Sequence, residues 1–134
     1  VLGGNHSFEV MLLALVPTLL TNNLLLLNQF PDAEADQQHG RNHLVIQHGY
    51  STAAYVYFVQ WQLALLALLT GLWLLEVPWF VYCAAIPMVV GLRIYALAKD
   101  FNKTTPAFLA GMGQNVMMTL LTPALLGVLL CVAG

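Results

Sequence analysis

Side chains that could do chemistry are concentrated in one stretch of this chain, from Asn22 to Gly49. Only 7% of the 134 residues are Asp, Glu, Lys or Arg, yet this stretch holds three of the six acids and three of the four histidines. Solubility alone does not explain why acids and histidines are concentrated in one stretch of so apolar a chain. We therefore expect the functional residues of the protein to lie in this stretch. The residues of this stretch that we consider for chemistry are Asn22, Asn23, Asn28, Asp32, Glu34, Asp36, His39, Arg41, His43 and His48.

Asn28, Asp32 and Asp36 are spaced by four residues. If the first helix continues or restarts at Pro31, these three side chains share one face of it. Two carboxylates one turn apart repel each other unless a cation lies between them, and the natural candidate is Mg²⁺, which prefers oxygen ligands. Arg41 would then supply a fixed positive charge for a diphosphate. On spacing alone, a solvated loop that merely carries charges is an equally good interpretation.

The composition is that of an integral membrane protein, because 60% of the residues are hydrophobic. Continuous Leu-rich runs favour helices over the alternating strands of a barrel. We therefore predict an all-α transmembrane bundle in a single domain, residues 1–134, with an Asp-rich loop at residues 31–50. Four stretches are long enough to span a bilayer, namely Val10–Phe30, Thr52–Leu75, Val77–Ala98 and Ala107–Val132.

Basic residues in the loops predict the orientation in the membrane. Arg41, Lys99 and Lys103 fall in the two loops on one face, whereas the opposite face has Glu9 and Glu76 and no Lys or Arg. Because Lys and Arg favour the cytoplasmic side, we place the Asp-rich loop there and both termini opposite. For a bacterial protein this means a multi-pass protein of the inner (cytoplasmic) membrane. Acids at the end of a spanning helix indicate a wet, functional pocket near the interface.

The remaining polar and sulfur residues suggest structural roles. The histidines lack a zinc-binding spacing and no cysteine lies near them, so we interpret them as loop residues. Cys83 and Cys131 fall in apolar spans and are expected to be buried hydrophobes. Arg93 is close enough to the end of its span to extend its charge to the headgroups. No basic patch suggests a nucleic-acid partner.

The last span carries a stripe of small and polar residues that predicts close helix packing, with Asn115 a weaker candidate for lining a cavity. The stripe comprises Ala107, Gly111, Asn115, Thr119 and Thr122.

At this point the motifs resemble a known family. The order Asn22-Asn23, Asp32-x-x-x-Asp36 and Gly40-Arg41-x-x-Leu44 resembles the second Asp-rich region of the UbiA superfamily of membrane prenyltransferases. The closest likeness is to the branch resembling 1,4-dihydroxy-2-naphthoate prenyltransferase. Asp-x-x-x-Asp alone would be a weak signal, whereas the combination is fairly specific.

The resemblance implies a helical membrane fold around a central cavity, in which two Asp-rich motifs hold an isoprenyl diphosphate through Mg²⁺. Asp32 and Asp36 would be metal ligands and catalytic residues, and Arg41 would bind diphosphate oxygens. Asn22, Asn23 and Asn28 would be polar substrate-binding residues at the cavity mouth. The implied reaction transfers an isoprenyl group to an aromatic acceptor. The acceptor that the resemblance favours is 1,4-dihydroxy-2-naphthoate, as in menaquinone (quinone) biosynthesis.

The first Asp-rich motif of the family has no counterpart in this sequence. Glu9 stands alone, and Asp100 has no acid four residues away. We therefore expect this chain to be the C-terminal half of a UbiA-type fold, with the N-terminal half of the same protein as a required partner. The main alternative is a small four-helix membrane protein that binds a divalent cation or a lipid headgroup, or half of a transporter. A structural membrane subunit is the third possibility.

Overall fold

The computed structural model describes residues 6–40 and 44–134, apart from the side chains of residues 34–37, 44 and 47. All regular structure in these residues is helical, which confirms the predicted fold class. Four segments are long and apolar enough to cross a membrane: Ser7–Ala33, His48–Leu74, Trp79–Lys99 and Pro106–Ala133. The elements in chain order are α1 (Ser7–Gln38), α2 (Leu44–Leu74), a 3₁₀ helix (Trp79–Val89), α3 (Val90–Lys99) and α4 (Pro106–Ala133).

The first helix is longer than predicted. It continues through Pro31 to Gln38, so residues 31–38 are helical rather than part of a loop at 31–50. Pro31 cannot donate a backbone hydrogen bond, but the alanine, glutamate and glutamine residues that follow it favour helix. Ala33 is also buried in the core, which anchors this extension to the bundle.

The second helix begins at Leu44, also inside the predicted loop. Gly49 has φ +87° and ψ 169°, a conformation open to glycine but strained for other residues. This residue therefore divides α2 into a short first segment and a long membrane-spanning one.

The third span was predicted as one helix, Val77–Ala98, but it changes type along its length. Trp79–Val89 forms the 3₁₀ helix, and α3 continues from Val90 to Lys99. Pro87 lies near the junction and cannot donate the hydrogen bond that an α-helix would require there. The short turn before this span and its flanking tryptophans agree with the prediction, since Trp73 and Trp79 are both exposed.

Trp61 of α2 holds this junction in place. Its indole Nε1 donates to the Met88 carbonyl oxygen at 2.8 Å, and the side chain is 6% exposed. Gly91 packs directly against the indole ring, where a Cβ atom would clash with it. The close approach of α2 and α3 therefore depends on a residue without a side chain at position 91.

We predict that Gly91→Ala lowers the free energy of unfolding by about 1–3 kcal/mol, the usual effect of overpacking a core. Gly113→Ala is the matched control: this glycine is also helical, and no atom lies within 4 Å of its added Cβ. The control should be neutral or up to about 1 kcal/mol stabilising, because alanine is the better helix former. Reversible unfolding in mixed micelles measures both. Equal stability of the two variants would contradict the packing explanation.

Candidate functional site

The acidic residues of the predicted site lie on one continuous helix. Asn28 and Asp32 are exposed on α1, one turn apart, and residue 36 follows one turn later with helical backbone. The condition for residues 28, 32 and 36 to share a helix face is therefore met. The side chain of Asp36 and all of Arg41 lie outside the described residues.

The adjacent asparagines of α1 occupy different environments. Asn22 is exposed, as are Asn28 and Asp32. Asn23 is fully buried, and its Nδ2 donates to the Tyr57 carbonyl oxygen of α2 at 3.0 Å. The structure thus groups Asn22 with the exposed side of α1 and separates Asn23 from it.

Four aromatic rings pack together beside the acidic end of α1. Phe30, two residues before Asp32, has its ring centroid 5.5 Å from Tyr50, 5.4 Å from Phe101 and 5.8 Å from Phe108. The Phe101 ring lies 4.7 Å from Tyr50 and 4.6 Å from Phe108. These contacts join α1, α2, the α3–α4 connection and α4, so the acidic segment and the Lys99–Pro106 loop lie at the same end of the bundle.

Sequence reasoning did not identify this aromatic cluster. The four rings come from three helices and from the α3–α4 connection, so the sequence has no periodic signal for the cluster. The predicted topology could have found it, because Phe30, Tyr50, Phe101 and Phe108 all lie close to chain segments assigned to one membrane face.

The polar stripe of α4 packs inside the bundle. Gly111, Asn115, Thr119 and Thr122 are buried, whereas Ala107 is exposed. Asn115 Oδ1 accepts a 2.6 Å hydrogen bond from the Tyr57 hydroxyl, and the Thr119 hydroxyl donates to the Asn115 carbonyl oxygen at 2.8 Å. Close packing is confirmed for most of the stripe, and Asn115 lies in the interior rather than in an open cavity.

The other polar candidates are dispersed. His39 and His48 are exposed, and His43 lies outside the described residues. Arg93 is exposed on α3, and Glu9 lies near His6, with 4.0 Å between carboxylate oxygen and ring nitrogen. Among the side chains that the structure describes, no three His, Cys, Asp or Glu residues lie together in a way that could hold a metal ion.

We predict that Phe101→Ala loosens the α3–α4 connection, because Phe101 is its ring contact to Phe30, Tyr50 and Phe108. Trypsin should cleave the variant after the exposed Lys99 and Lys103 several-fold faster than the unaltered protein. Asn102→Ala, an exposed neighbour in the same connection, is the control and should leave the rate unchanged. Identical cleavage rates in both variants would refute a role of the aromatic cluster in ordering this loop.

Comparison with known proteins gives a family match. The model of the UbiA prenyltransferase family matches residues 1–118. Searches of curated proteins and of solved structures return no match. Since the family match covers most of the chain, including α1, α2, α3 and the first part of α4, this chain belongs to the UbiA prenyltransferase family.

Proposed function

We propose that α1 forms one wall of a prenyltransferase active site, in which Asn22, Asn28, Asp32, Asp36 and Arg41 bind an isoprenyl diphosphate and its metal. Prenyl transfer is the general activity of the family. The observation that carries the assignment of the site is the exposed polar side of α1, where Asn22, Asn28 and Asp32 lie.

These three residues lie within the span Ser7–Ala33, which is predominantly apolar. Asp32 lies at the end of the span, close to the membrane interface. Facing lipid would be costly for Asn22 and Asn28, because hydrocarbon offers no hydrogen-bond partners. Polar side chains in spanning helices therefore face other helices or a water-filled cavity. A cavity that binds a charged diphosphate meets this requirement.

The donor atoms on this face suit Mg²⁺. Asn28 supplies an amide oxygen and Asp32 a carboxylate one turn further along the same exposed side. Mg²⁺ takes one or two protein carboxylates and completes its octahedron with waters and phosphate oxygens. We propose Asp32 and Asp36 as its ligands, with Arg41 on the diphosphate. When bound, the metal would neutralise charge that develops on the departing diphosphate.

The proposed reaction breaks the bond between the allylic carbon and the diphosphate oxygen. The aromatic acceptor supplies the electron pair for the new carbon–carbon bond. The ring carbon that forms this bond then loses its proton or, if it carries a carboxylate, carbon dioxide. Arg41 would stabilise the leaving diphosphate by charge. The apolar side chains of the spans would exclude water, which would otherwise capture the allylic cation.

A partner surface is part of this proposal. The exposed polar side of α1 needs a covering element that supplies further polar groups, and we propose the N-terminal half of the same protein with a second acidic motif. Motif order favours 1,4-dihydroxy-2-naphthoate as the acceptor, in menaquinone biosynthesis. We also propose that the acidic end of the bundle, with exposed Lys99 and Lys103, faces the cytoplasm.

The first test replaces the acids. In membranes that contain the natural protein, Asp32→Asn and Asp36→Asn should each lower prenyl transfer at least about 100-fold, because each removes a carboxylate that would hold the metal against the departing diphosphate. Conversion of labelled isoprenyl diphosphate and 1,4-dihydroxy-2-naphthoate to lipid-soluble product measures it. Glu34→Gln is the matched control, since residue 34 lies about 200° around the helix from residue 32.

Full activity of Asp32→Asn would remove Asp32 from the site. Metal-dependent binding of the diphosphate without product in the unaltered protein, for every acceptor offered, would instead favour the alternative of a cation- or headgroup-binding membrane protein.

A second prediction concerns the metal. Treatment with EDTA should abolish prenyl transfer, and added Mg²⁺ should restore it, since the carboxylates alone repel a diphosphate. Ca²⁺ should restore less activity, because it is larger and prefers a looser coordination shell. Undiminished transfer in EDTA would refute the metal-dependent mechanism.

A further inference from the structure

Three buried polar residues form a chain of hydrogen bonds inside the bundle. Asn23 of α1, Tyr57 of α2 and Asn115 of α4 are each 0% exposed. The Asn23 side chain bonds to the Tyr57 backbone, and the Tyr57 hydroxyl bonds to the Asn115 side chain. Together these hydrogen bonds link three membrane-spanning helices in series.

Stability alone is a poor explanation of this chain of hydrogen bonds. Within the part of the chain that the structure describes, Asn23 Oδ1 and Asn115 Nδ2 have no hydrogen-bond partner. Each such buried atom lowers the free energy of unfolding, because it has lost its hydrogen bonds to water, whereas a leucine of similar size would pack without this loss. Interhelical hydrogen bonds in membranes also add little net stability. What they do provide is a defined rotation of each helix relative to its neighbours.

Helix geometry relates that rotation to the candidate site. Asp32 lies nine residues after Asn23, which corresponds to about 13.5 Å along the axis and about 180° around it. Asn28 lies about 140° around from Asn23. Burying Asn23 against α2 therefore turns Asp32 directly away from the bundle, in agreement with the exposure of Asn28 and Asp32.

We infer that Asn23, Tyr57 and Asn115 are positioning residues: one hydrogen bond holds α1 against α2 and the other holds α2 against α4, and together they set the rotation of α1 in the bundle so that Asn28, Asp32 and residue 36 face the substrate cavity. This inference rests on the proposed function for its consequence in catalysis. It assigns Asn23, predicted from the sequence to bind substrate, an interior role instead.

Tyr57→Phe tests the inference with the smallest change, because the ring remains and only the hydroxyl that bonds to Asn115 is lost. The KM for isoprenyl diphosphate should rise about 2- to 10-fold, the range that loss of one such hydrogen bond allows. The kcat should change less than 2-fold, since residues 28, 32 and 36 themselves are unaltered. Tyr55→Phe is the control: it is the same change on the same helix, at an exposed ring.

A second measurement follows the helix itself and needs no activity. Spin labels at Leu25 of α1 and Leu120 of α4, both exposed, report the distance between the helices after Cys83 and Cys131 are replaced by alanine. The unaltered core should give one narrow distance distribution. Tyr57→Phe and Asn23→Leu should shift or broaden it, whereas Tyr55→Phe should not.

The two readouts separate the possible failures. A higher KM together with a changed distance distribution supports the inference. An unchanged distance in both core variants overturns it, and so does an unchanged KM in a variant whose distance has shifted. If the unaltered protein transfers no prenyl group, the proposed function fails, and the distance measurement alone decides whether these residues set the rotation of α1.

Discussion

Hydrocarbon offers polar groups no water, and this constraint governs how the bundle is assembled. Every polar side chain in a spanning helix must meet another helix or a hydrated cavity. Two kinds of polar position occur in α1. The Asn23 side chain donates a hydrogen bond to the Tyr57 backbone, whereas Asn22 and Asn28 lie on the exposed side of the helix. The helix therefore has one polar residue that contacts α2 inside the bundle and two that lie on the outer surface of the bundle.

The aromatic cluster complements this arrangement at the acidic end of the bundle. Phe30 is 1% exposed and lies almost opposite Asp32 on the helix, since two residues correspond to about 200°. Its contacts with Phe101 and Phe108 hold the end of α1 against the start of α4. α1 is thus held at mid-helix by the hydrogen bond from Asn23 and near its acidic end by the ring packing of Phe30.

The sequence predicted the four spans well because long apolar runs have few alternatives to helix in a membrane. It failed where local chemistry was ambiguous. Residues 31–38 are polar and begin at a proline, which suggested a loop, yet they extend α1 because Ala33 packs into the core. Asn22 and Asn23 look equivalent in sequence, and only the packed bundle shows that they face different ways. Tyr57 resembles any tyrosine of an apolar helix until Asn115 is placed beside its hydroxyl.

The 3₁₀ helix increases the length of the third membrane span. A 3₁₀ helix rises about 2.0 Å per residue, compared with about 1.5 Å in an α-helix. Trp79–Val89 therefore extends about 22 Å, and α3 brings the span to about 37 Å. An α-helix of the same length would reach only about 31 Å, well short of neighbours with 27 or 28 residues. The tighter winding thus brings a short segment closer to the length of its neighbours, which are about 40 to 42 Å long, and reduces hydrophobic mismatch with the bilayer.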